Sequence, residues 1–124
     1  MPDPKPIPKD GKPRQFIYIL RLVPRLFDDR AWTPADADAV SRHFMHLTAA
    51  ADRGQVILAG RTDEPKDRTF GIVVFEASED ASARSFMESD PALVAGIMTA
   101  ELHPYAVSVL RLPQRNEAPQ NSNP

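Results

Sequence analysis

The stretch Phe16-Ile-Tyr-Ile-Leu-Arg-Leu-Val23 is rich in β-branched and aromatic residues, and it is apolar on both of its alternating faces. A strand with one face in water would alternate apolar and polar residues, so this pattern predicts a central strand covered on both sides. Pro24 follows, and because proline has no amide donor we expect the strand to end there. The rest of the chain is expected to fold around this strand.

The segment Thr33-Pro34-Ala35-Asp36 predicts the start of a helix. Thr33 can cap the first free amides, proline is tolerated in the first turn, and Asp36 complements the helix dipole. Gly54 can adopt the left-handed conformation that commonly ends a helix, so we expect the helix to run from about Pro34 to Arg53. Apolar residues at spacings of three and four predict its buried stripe, namely Ala37, Val40, Phe44, Leu47 and Ala51.

Two apolar runs follow this helix, at Gln55–Gly60 and Thr69–Glu76, and the charged segment Arg61–Arg68 separates them. Runs of this length predict two strands joined by a loop of eight residues. Ser78 is a suitable cap for a second helix, which begins at the acidic residues after it.

A short helical turn is expected at Asp90-Pro91, because an aspartate cap with proline in the first position is a strong helix start. Gly96 is expected to close it. The run Tyr105–Leu110 then predicts the final strand, entered through a bend before it.

The predicted order is strand, helix, strand, strand, helix, strand. This order is that of the α+β ferredoxin-like fold, βαββαβ, in which both helices lie on one face of an antiparallel sheet. Because the strands are apolar on both faces, the other sheet face would expose a large apolar patch in a monomer. We therefore predict a homodimer that associates through the sheet.

The length of 124 residues suits one domain, and the prolines concentrate at its ends. Five of the 13 prolines lie in residues 2–13 and three lie in residues 113–124. Because proline resists both helix and sheet, we expect disordered tails at 1–13 and 113–124 and a single domain over 14–112.

Charge and composition exclude several classes of partner. A net charge of −2 gives no general attraction to phosphate backbones, so nucleic acid is not an expected partner. The early apolar run is far shorter than the ~20 residues that cross a bilayer, and no signal-peptide cleavage site follows it. We therefore expect a cytoplasmic protein without membrane association. The absence of cysteine excludes disulfides and thiolate chemistry.

His43 and His46 lie three positions apart on the first predicted helix. His43 adjoins the apolar stripe, where it could act as a general base at the edge of a cleft or be a boundary histidine with satisfied hydrogen bonds. His46 is the weaker candidate. The pair alone cannot complete a metal site, and no His-Glu-x-x-His pattern occurs, so no metal is expected.

Asp90, Arg61 and Tyr105 are the remaining candidate site residues. Asp90 can orient an imidazole, cap the helical turn, or do both. Arg61 can hold a substrate carboxylate or form a surface ion pair with an acidic neighbour, which is worth only ~0 to 1 kcal/mol. Tyr105 lies at an element boundary where it can line a pocket. Trp32 precedes the helix cap and suits a hydrophobic staple.

The chain resembles the YciI-like (YCII-related) family over about Phe16 to Leu112. The resemblance rests on a helix histidine, two strands and an Asp-Pro motif in the family's order: His43, Val56-Ile-Leu-Ala-Gly60-Arg61, Phe70-Gly-Ile-Val-Val-Phe75 and Met87-Glu-Ser-Asp90-Pro91, with Gly96 soon after. The interval from His43 to Gly54 also matches the family, so His43 rather than His46 takes the family position.

The resemblance implies a ferredoxin-like dimer of the dimeric α/β-barrel superfamily, with His43 and Asp90 in the active site and no metal or organic cofactor. Activities in this family include dehydrochlorination of an aromatic intermediate, and relatives in the superfamily include muconolactone isomerase-like proteins. The expected function is thus cofactor-independent acid–base chemistry, a lyase or isomerase reaction, on a small aromatic or carboxylated molecule held by Arg61 and Tyr105. The alternative is a non-catalytic dimer that binds a small ligand or a protein partner.

Overall fold

The structure is a computed structural model that describes residues 14–111. The tails predicted at 1–13 and 113–124 lie outside the described residues. Four strands and three helices follow each other as β1 (Arg14–Leu22), α1 (Pro34–Asp52), β2 (Val56–Arg61), β3 (Gly71–Ala77), α2 (Asp80–Glu88), α3 (Pro91–Val94) and β4 (Met98–Tyr105). Two short 3-10 turns, Pro24–Phe27 and Asp29–Ala31, connect β1 to α1.

The four strands form one antiparallel sheet in the order β2-β3-β1-β4. The predicted central position of β1 is confirmed, since β1 pairs with β3 on one side and β4 on the other. Alternate β1 residues, Phe16, Tyr18 and Leu20, are buried in the core that lies between the sheet and the helices. The architecture is the α+β, ferredoxin-like βαββαβ fold that the sequence predicts.

Aromatic rings fill the centre of the core. Phe75 on β3 and Phe86 on α2 have ring centroids 4.8 Å apart, and Tyr18 on β1 packs edge-on against Phe75 at 5.6 Å. Burying a side chain of this size contributes about 1.5–3 kcal/mol relative to leaving it in water. A second cluster, with Leu26 and Ile97 at its centre, lies under the start of α1 and beside α3. It connects the first turns of both helices to the end of the sheet.

The predicted Thr33 cap of α1 is confirmed, and Asp36 completes it as a reciprocal capping box. Thr33 Oγ1 accepts the Asp36 amide at 3.2 Å, and the Asp36 carboxylate accepts the Thr33 amide at 2.9 Å. Arg25 donates to both carboxylate oxygens of Asp36 at 2.9 Å each. The Arg25 guanidinium, with help from the Thr33 hydrogen bonds, holds the pKa of Asp36 well below its usual range despite burial. At the other end, Gly54 has φ +89°, as expected for the residue that ends the helix.

The buried stripe of α1 agrees with the predicted stripe at Leu47 and otherwise lies one residue earlier along the helix. The buried residues are Asp36, Ala39, His43, Leu47 and Ala50, whereas the predicted core residue Phe44 is 57% exposed. The prediction counted apolar residues alone, so it left Asp36 out of the stripe and placed His43 only beside it. Both find buried hydrogen-bond partners, which removes the cost of burying them.

The final strand also differs from the prediction, because β4 ends at Tyr105 where the predicted strand begins. β4 is an edge strand, and proline is tolerated in edge strands because they pair with a neighbouring strand on one side only. Tyr105 pairs with Gln15, and none of residues 106–111 is in a strand. The Val107 amide donates instead to a side chain, at Gln15 Oε1, 2.8 Å away.

Candidate functional site

Asp90 is placed by the start of α3. It is the N-cap residue, and its Oδ1 accepts the amide of Ala92 at 2.9 Å, with Pro91 in the first helical position. The side chain is fully buried, with 0% relative exposure. A buried carboxylate is costly unless hydrogen bonds compensate it, so its other partners determine what it does.

Two side chains from distant parts of the chain meet Asp90. His43 Nδ1 on α1 lies 2.7 Å from Asp90 Oδ1, and the Tyr18 hydroxyl on β1 donates to Asp90 Oδ2 at 2.8 Å. His43 and Tyr18 are 4% and 0% exposed, so all three groups belong to the interior. The structure thus brings together the two residues that the sequence singled out, His43 and Asp90, and adds Tyr18.

The protonation states in this cluster follow from its surroundings. Burial works to raise the pKa of Asp90, but the hydrogen bonds from His43, the Ala92 amide and Tyr18, together with the charge of His43, outweigh burial and lower it. Burial, followed by the charge and the hydrogen bond of Asp90, raises the pKa of Tyr18 far above its usual range. Asp90 is therefore ionised at neutral pH and Tyr18 remains a hydroxyl donor.

An ionised Asp90 also fixes the tautomer of His43. Because a carboxylate only accepts hydrogen bonds, Nδ1 of a neutral His43 carries the proton and Nε2 carries a free lone pair. The side chain is 6% exposed. Among the described residues the fully enclosed nitrogen without a partner is Nε2 of His46, not Nε2 of His43. The side-chain hydrogen bond of His43 within residues 14–111 is the one from Nδ1 to Asp90, which leaves Nε2 without a partner there.

His46 lies one helical turn beyond His43 and faces α2. Its ring stacks on Phe86 with centroids 5.4 Å apart. Burial lowers the pKa of His46, and the attraction of Asp90 only partly opposes this. His46 is therefore a neutral packing residue at pH 7 rather than a second base.

An open cleft of about 330 Å³ lies beside α1 at the end of the sheet. Its apolar lining consists of Leu20, Leu22, Val40, Phe44, Phe70 and Met98, together with the indole of Trp32. Its charged lining residues, all exposed, are Arg61, Glu64 and Lys66. His43 is not a lining residue, but Val40 and Phe44 flank it on α1 and Leu20 follows Tyr18 on the same face of β1.

Arg61 and Tyr105, the two predicted binding residues, lie on opposite faces of the sheet. Arg61, at the end of β2, lines the cleft beside α1. Tyr105 is 46% exposed and lines a groove on the helix-free face, against Leu58, Ile72 and Val74. The structure therefore places Arg61 near the His43 side of the molecule and Tyr105 away from it.

Tyr18 is the site residue that sequence reasoning missed. Its position in an apolar strand is typical of a core residue, and its ring does pack on Phe75. The available signal was chemical, since a buried tyrosine hydroxyl normally requires a hydrogen-bond partner. Only the folded structure identifies that partner as Asp90, 72 residues away in sequence.

Two features of the described residues bear on metals and membranes. Within residues 14–111, no group of three or more His, Asp or Glu side chains is arranged to hold a metal ion. None of the helices in this part of the chain has the length and apolar character to cross a membrane.

A comparison with solved structures agrees with the α+β fold described above. No protein-family model and no curated protein sequence matches the chain. Among solved structures, the chain is similar to a 5-chloro-2-hydroxyhydroquinone dehydrochlorinase from Burkholderia phenoliruptrix AC1100, determined in complex with 2,5-dihydroxybenzoquinone. The two share 20% identity and a TM-score of 0.57, over 76% of this chain and 95% of the other. At this identity the likeness shows the fold, which is that of small ferredoxin-like α+β proteins.

Proposed function

We propose that the chain is a YciI-like enzyme that performs acid–base chemistry, an elimination or an isomerisation, on a small molecule. The observation that carries this proposal is the hydrogen bond between His43 Nδ1 and the buried Asp90, which leaves Nε2 as the basic atom. The dehydrochlorinase of similar fold supports the reaction class, because dehydrochlorination is an elimination. The motifs shared with the YciI-like family support it independently.

In this proposal His43 is the general base. Its Nε2 accepts a proton from the substrate, and the resulting imidazolium is stabilised by the Asp90 carboxylate 2.7 Å from Nδ1. Tyr18 and the Ala92 amide hold that carboxylate in place, so Asp90 orients and stabilises His43 without taking the proton itself. Burial of Asp90 suits this role, since a low dielectric strengthens its attraction to the imidazolium.

The fate of the proton distinguishes the two reaction types. In an elimination, the electron pair of the broken C–H or O–H bond forms a new π bond, the leaving group departs with its own electron pair, and His43 passes the proton to water. In an isomerisation, His43 returns the proton to another atom of the same molecule. Both use the same base and neither consumes an oxidant or reductant.

The remaining predicted residues belong to the same proposal. Arg61 binds an anionic group of the substrate in this proposal. Its position in the lining of the cleft supports this role. A role for Tyr105 in binding requires a ligand on the helix-free face, and Tyr105→Phe with unchanged ligand affinity would remove it from the site.

We also propose that a second copy of the chain covers the helix-free sheet face. Ile17, Ile19 and Ile72 are only partly buried there and Leu58 is 46% exposed. Sedimentation at micromolar concentration should give a dimer, and Ile19→Glu should yield monomers. A wild-type chain that sediments as a monomer would contradict this part of the proposal.

The activity can be tested with two probe reactions. The wild-type chain is incubated with 5-chloro-2-hydroxyhydroquinone, with chloride release as the readout, and with muconolactone, with the absorbance of the isomerised product as the readout. We expect turnover in one of them and a loss of about 10²–10⁴-fold in His43→Gln, the usual contribution of a general base. His46→Gln, on the same helix, is the matched control and should retain activity. No turnover above the His43→Gln background in either reaction would overturn the assignment.

The alternative function is a non-catalytic dimer that binds a small ligand. The observation that favours it is the low exposure of the His43 side chain, 6%, which limits direct contact with a substrate. Under this alternative Asp90 and His43 serve only to connect α3 to α1. A ligand that binds the cleft with equal affinity in wild type and His43→Gln, and is chemically unchanged by both, would establish it.

A further inference from the structure

We propose that the cleft beside α1 binds a one-ring molecule with a single negative charge, that Arg61 recognises the charge, and that Gly71 limits the size of the ring substituents. This proposal adds a ligand class to the proposed function. It rests on the proposed function only where it regards the bound molecule as a substrate. It stands on the volume, composition and charge of the cleft.

The size and walls of the cleft indicate a small ring. Its volume of about 330 Å³ is at the lower end of the ~300–1,000 Å³ typical of small-molecule sites. Trp32, Phe44 and Phe70 provide aromatic surface. Phe44 is 57% exposed although it is large and apolar, and a ligand in the cleft would cover it.

Two of these aromatic side chains are fixed before any ligand arrives. The Trp32 indole N–H donates to the Leu26 carbonyl at 3.0 Å. The Arg21 guanidinium lies 5.1 Å from the centre of the Phe70 ring, within the range of a cation–π contact. A wall fixed in this way binds a flat ring with little loss of side-chain entropy.

The charges around the cleft favour one negative group. Lys66 is occupied by Asp29, with its Nζ 2.8 Å from the carboxylate. Arg61, in contrast, has no carboxylate partner within residues 14–111, and its Nη1 donates only to the Thr62 carbonyl at 3.3 Å. A free guanidinium is well suited to a carboxylate. Glu64 also lines the cleft, and it opposes a second negative charge on the ligand.

Gly71 lines the cleft, and the absence of a side chain there leaves space for a ligand. Its backbone is not left-handed, in contrast to Gly54 and Gly96, so its conformation does not demand glycine. A Cβ at this position would lie 3.7 Å from Leu20 Cδ1 and 3.3 Å from the Gly60 carbonyl oxygen. A larger side chain would extend into the cleft over Leu20 and take the volume that a ring substituent needs.

The single tryptophan of the chain lines the cleft and provides a specific signal. Benzoate is titrated into the full chain while the Trp32 indole ¹H–¹⁵N resonance is followed. We expect a saturable shift with benzoate and a binding constant weaker by about tenfold or more for benzyl alcohol, which lacks the charge-assisted hydrogen bond. Phthalate, with two carboxylates, should also bind more weakly than benzoate.

Two variants test the assigned residues. Arg61→Met should abolish the preference for benzoate over benzyl alcohol, whereas Arg68→Met, an exposed arginine of the same loop, should leave it unchanged. Gly71→Val should abolish benzoate binding and Gly71→Ala should weaken it. Gly60→Ala is the matched control, since a Cβ there meets nothing within 4 Å. Should Gly71→Val not fold, Gly71→Ala and Arg61→Met decide the outcome.

The possible outcomes separate this inference from the proposed function. Suppose that His43→Gln still binds benzoate and that the wild type shows no turnover. This result would support the proposed ligand site in the cleft and contradict the proposed enzymatic function. The proposed ligand site is wrong, whatever the activity, if the indole resonance does not shift with benzoate. It is also wrong if Gly71→Val binds benzoate as tightly as the wild type. A resonance that changes with protein concentration but not with benzoate would mean that a second copy covers the cleft, which also overturns it.

Discussion

Asp36 and Asp90 occupy similar positions and do different things. Each is a buried aspartate in the first turn or cap of a helix, and each accepts a backbone amide at 2.9 Å. Asp36 receives its other hydrogen bonds from Arg25 and Thr33, 11 and 3 residues away. Asp90 receives them from His43 and Tyr18, 47 and 72 residues away.

The partners explain the difference. An arginine is charged at every pH the protein meets, so the Arg25–Asp36 pair can hold α1 in place but cannot move a proton. A histidine changes its charge near neutral pH, and Asp90 determines which of its nitrogens is basic. Burial, capping and a lowered pKa are common to both aspartates, so these properties alone do not identify a catalytic carboxylate. What differs is the hydrogen-bond donor, and the proposed catalytic role of Asp90 rests on that donor being a histidine.

The largest expected effect separates the two aspartates directly. Asp90→Asn should lower turnover by about 10²–10⁴-fold, because an amide can no longer fix the His43 tautomer or stabilise its imidazolium. Asp36→Asn should destabilise the fold but leave turnover of the folded protein unchanged. Ring ¹⁵N shifts of His43 provide a measurement that needs no substrate. A wild-type ring with its proton on Nε2 rather than Nδ1 would contradict the assigned roles.

A smaller effect is expected when Tyr18 loses its hydroxyl. Tyr18→Phe removes one hydrogen bond to a charged, buried acceptor, and such bonds contribute about 1.5–3 kcal/mol to the free energy of unfolding. The matched control is Phe16, whose ring lies on the same face of β1 and has no hydroxyl. Phe16→Tyr adds a hydroxyl at a position where Asp90 does not serve as its hydrogen-bond acceptor. Denaturant unfolding measures both. If Tyr18→Phe is as stable as wild type, the hydroxyl does not support Asp90.

The dependence of stability on acid should be shared by the two aspartates. Both have a pKa lowered in the folded state, so the unfolded chain binds protons first as the pH falls. Their contribution is complete above the unfolded value of about 3.9 and is lost as the pH falls below it. Unfolding free energies measured from pH 6 to 2.5 should decline less steeply in Asp36→Asn and in Asp90→Asn than in wild type. Parallel curves would show that neither carboxylate is stabilised.

The smallest effect is expected at His46. Its pKa is lowered in the folded state, so the wild type should lose stability as the pH falls through the unfolded value of about 6.5. His46→Phe keeps a ring on Phe86 and removes the enclosed nitrogen, so it should lose this pH dependence and gain up to about 1 kcal/mol at pH 6. Thermal unfolding at pH 6 and 8 tests this. A variant that is less stable at both pH values would indicate that Nε2 has a partner.

Sequence reasoning recovered the fold because its signals are local. The Thr33 cap, the Gly54 terminus and the apolar runs each report on neighbouring residues, and their order specifies βαββαβ. It failed where a distant partner decides the outcome. Tyr105–Leu110 has the composition of a strand, but β4 ends at Tyr105, and the Val107 amide bonds to the side chain of Gln15, 92 residues away in sequence.

The candidate site residues came from the same kind of local signal. His43 and Asp90 were recognised from the resemblance and from the helix cap, but the contact between them was an inference that only the fold could test. Phe44, which was expected in the core, lines the cleft, and His43, which was expected beside the apolar stripe, is buried because its ring has a hydrogen-bond partner. The helical period gives the width of an apolar stripe but does not say which polar residues will be satisfied inside it.

The long sequence separations around Asp90 have a consequence for biosynthesis. Its donors come from β1 and α1, and its own position is fixed by α3, near the end of the described residues. A nascent chain that has exposed β1, α1, β2 and β3 still lacks the carboxylate that lies against Nδ1 of His43. In the proposed mechanism the general base is therefore complete only after α3 has been synthesised, and a chain truncated before α3 would hold His43 without its carboxylate partner.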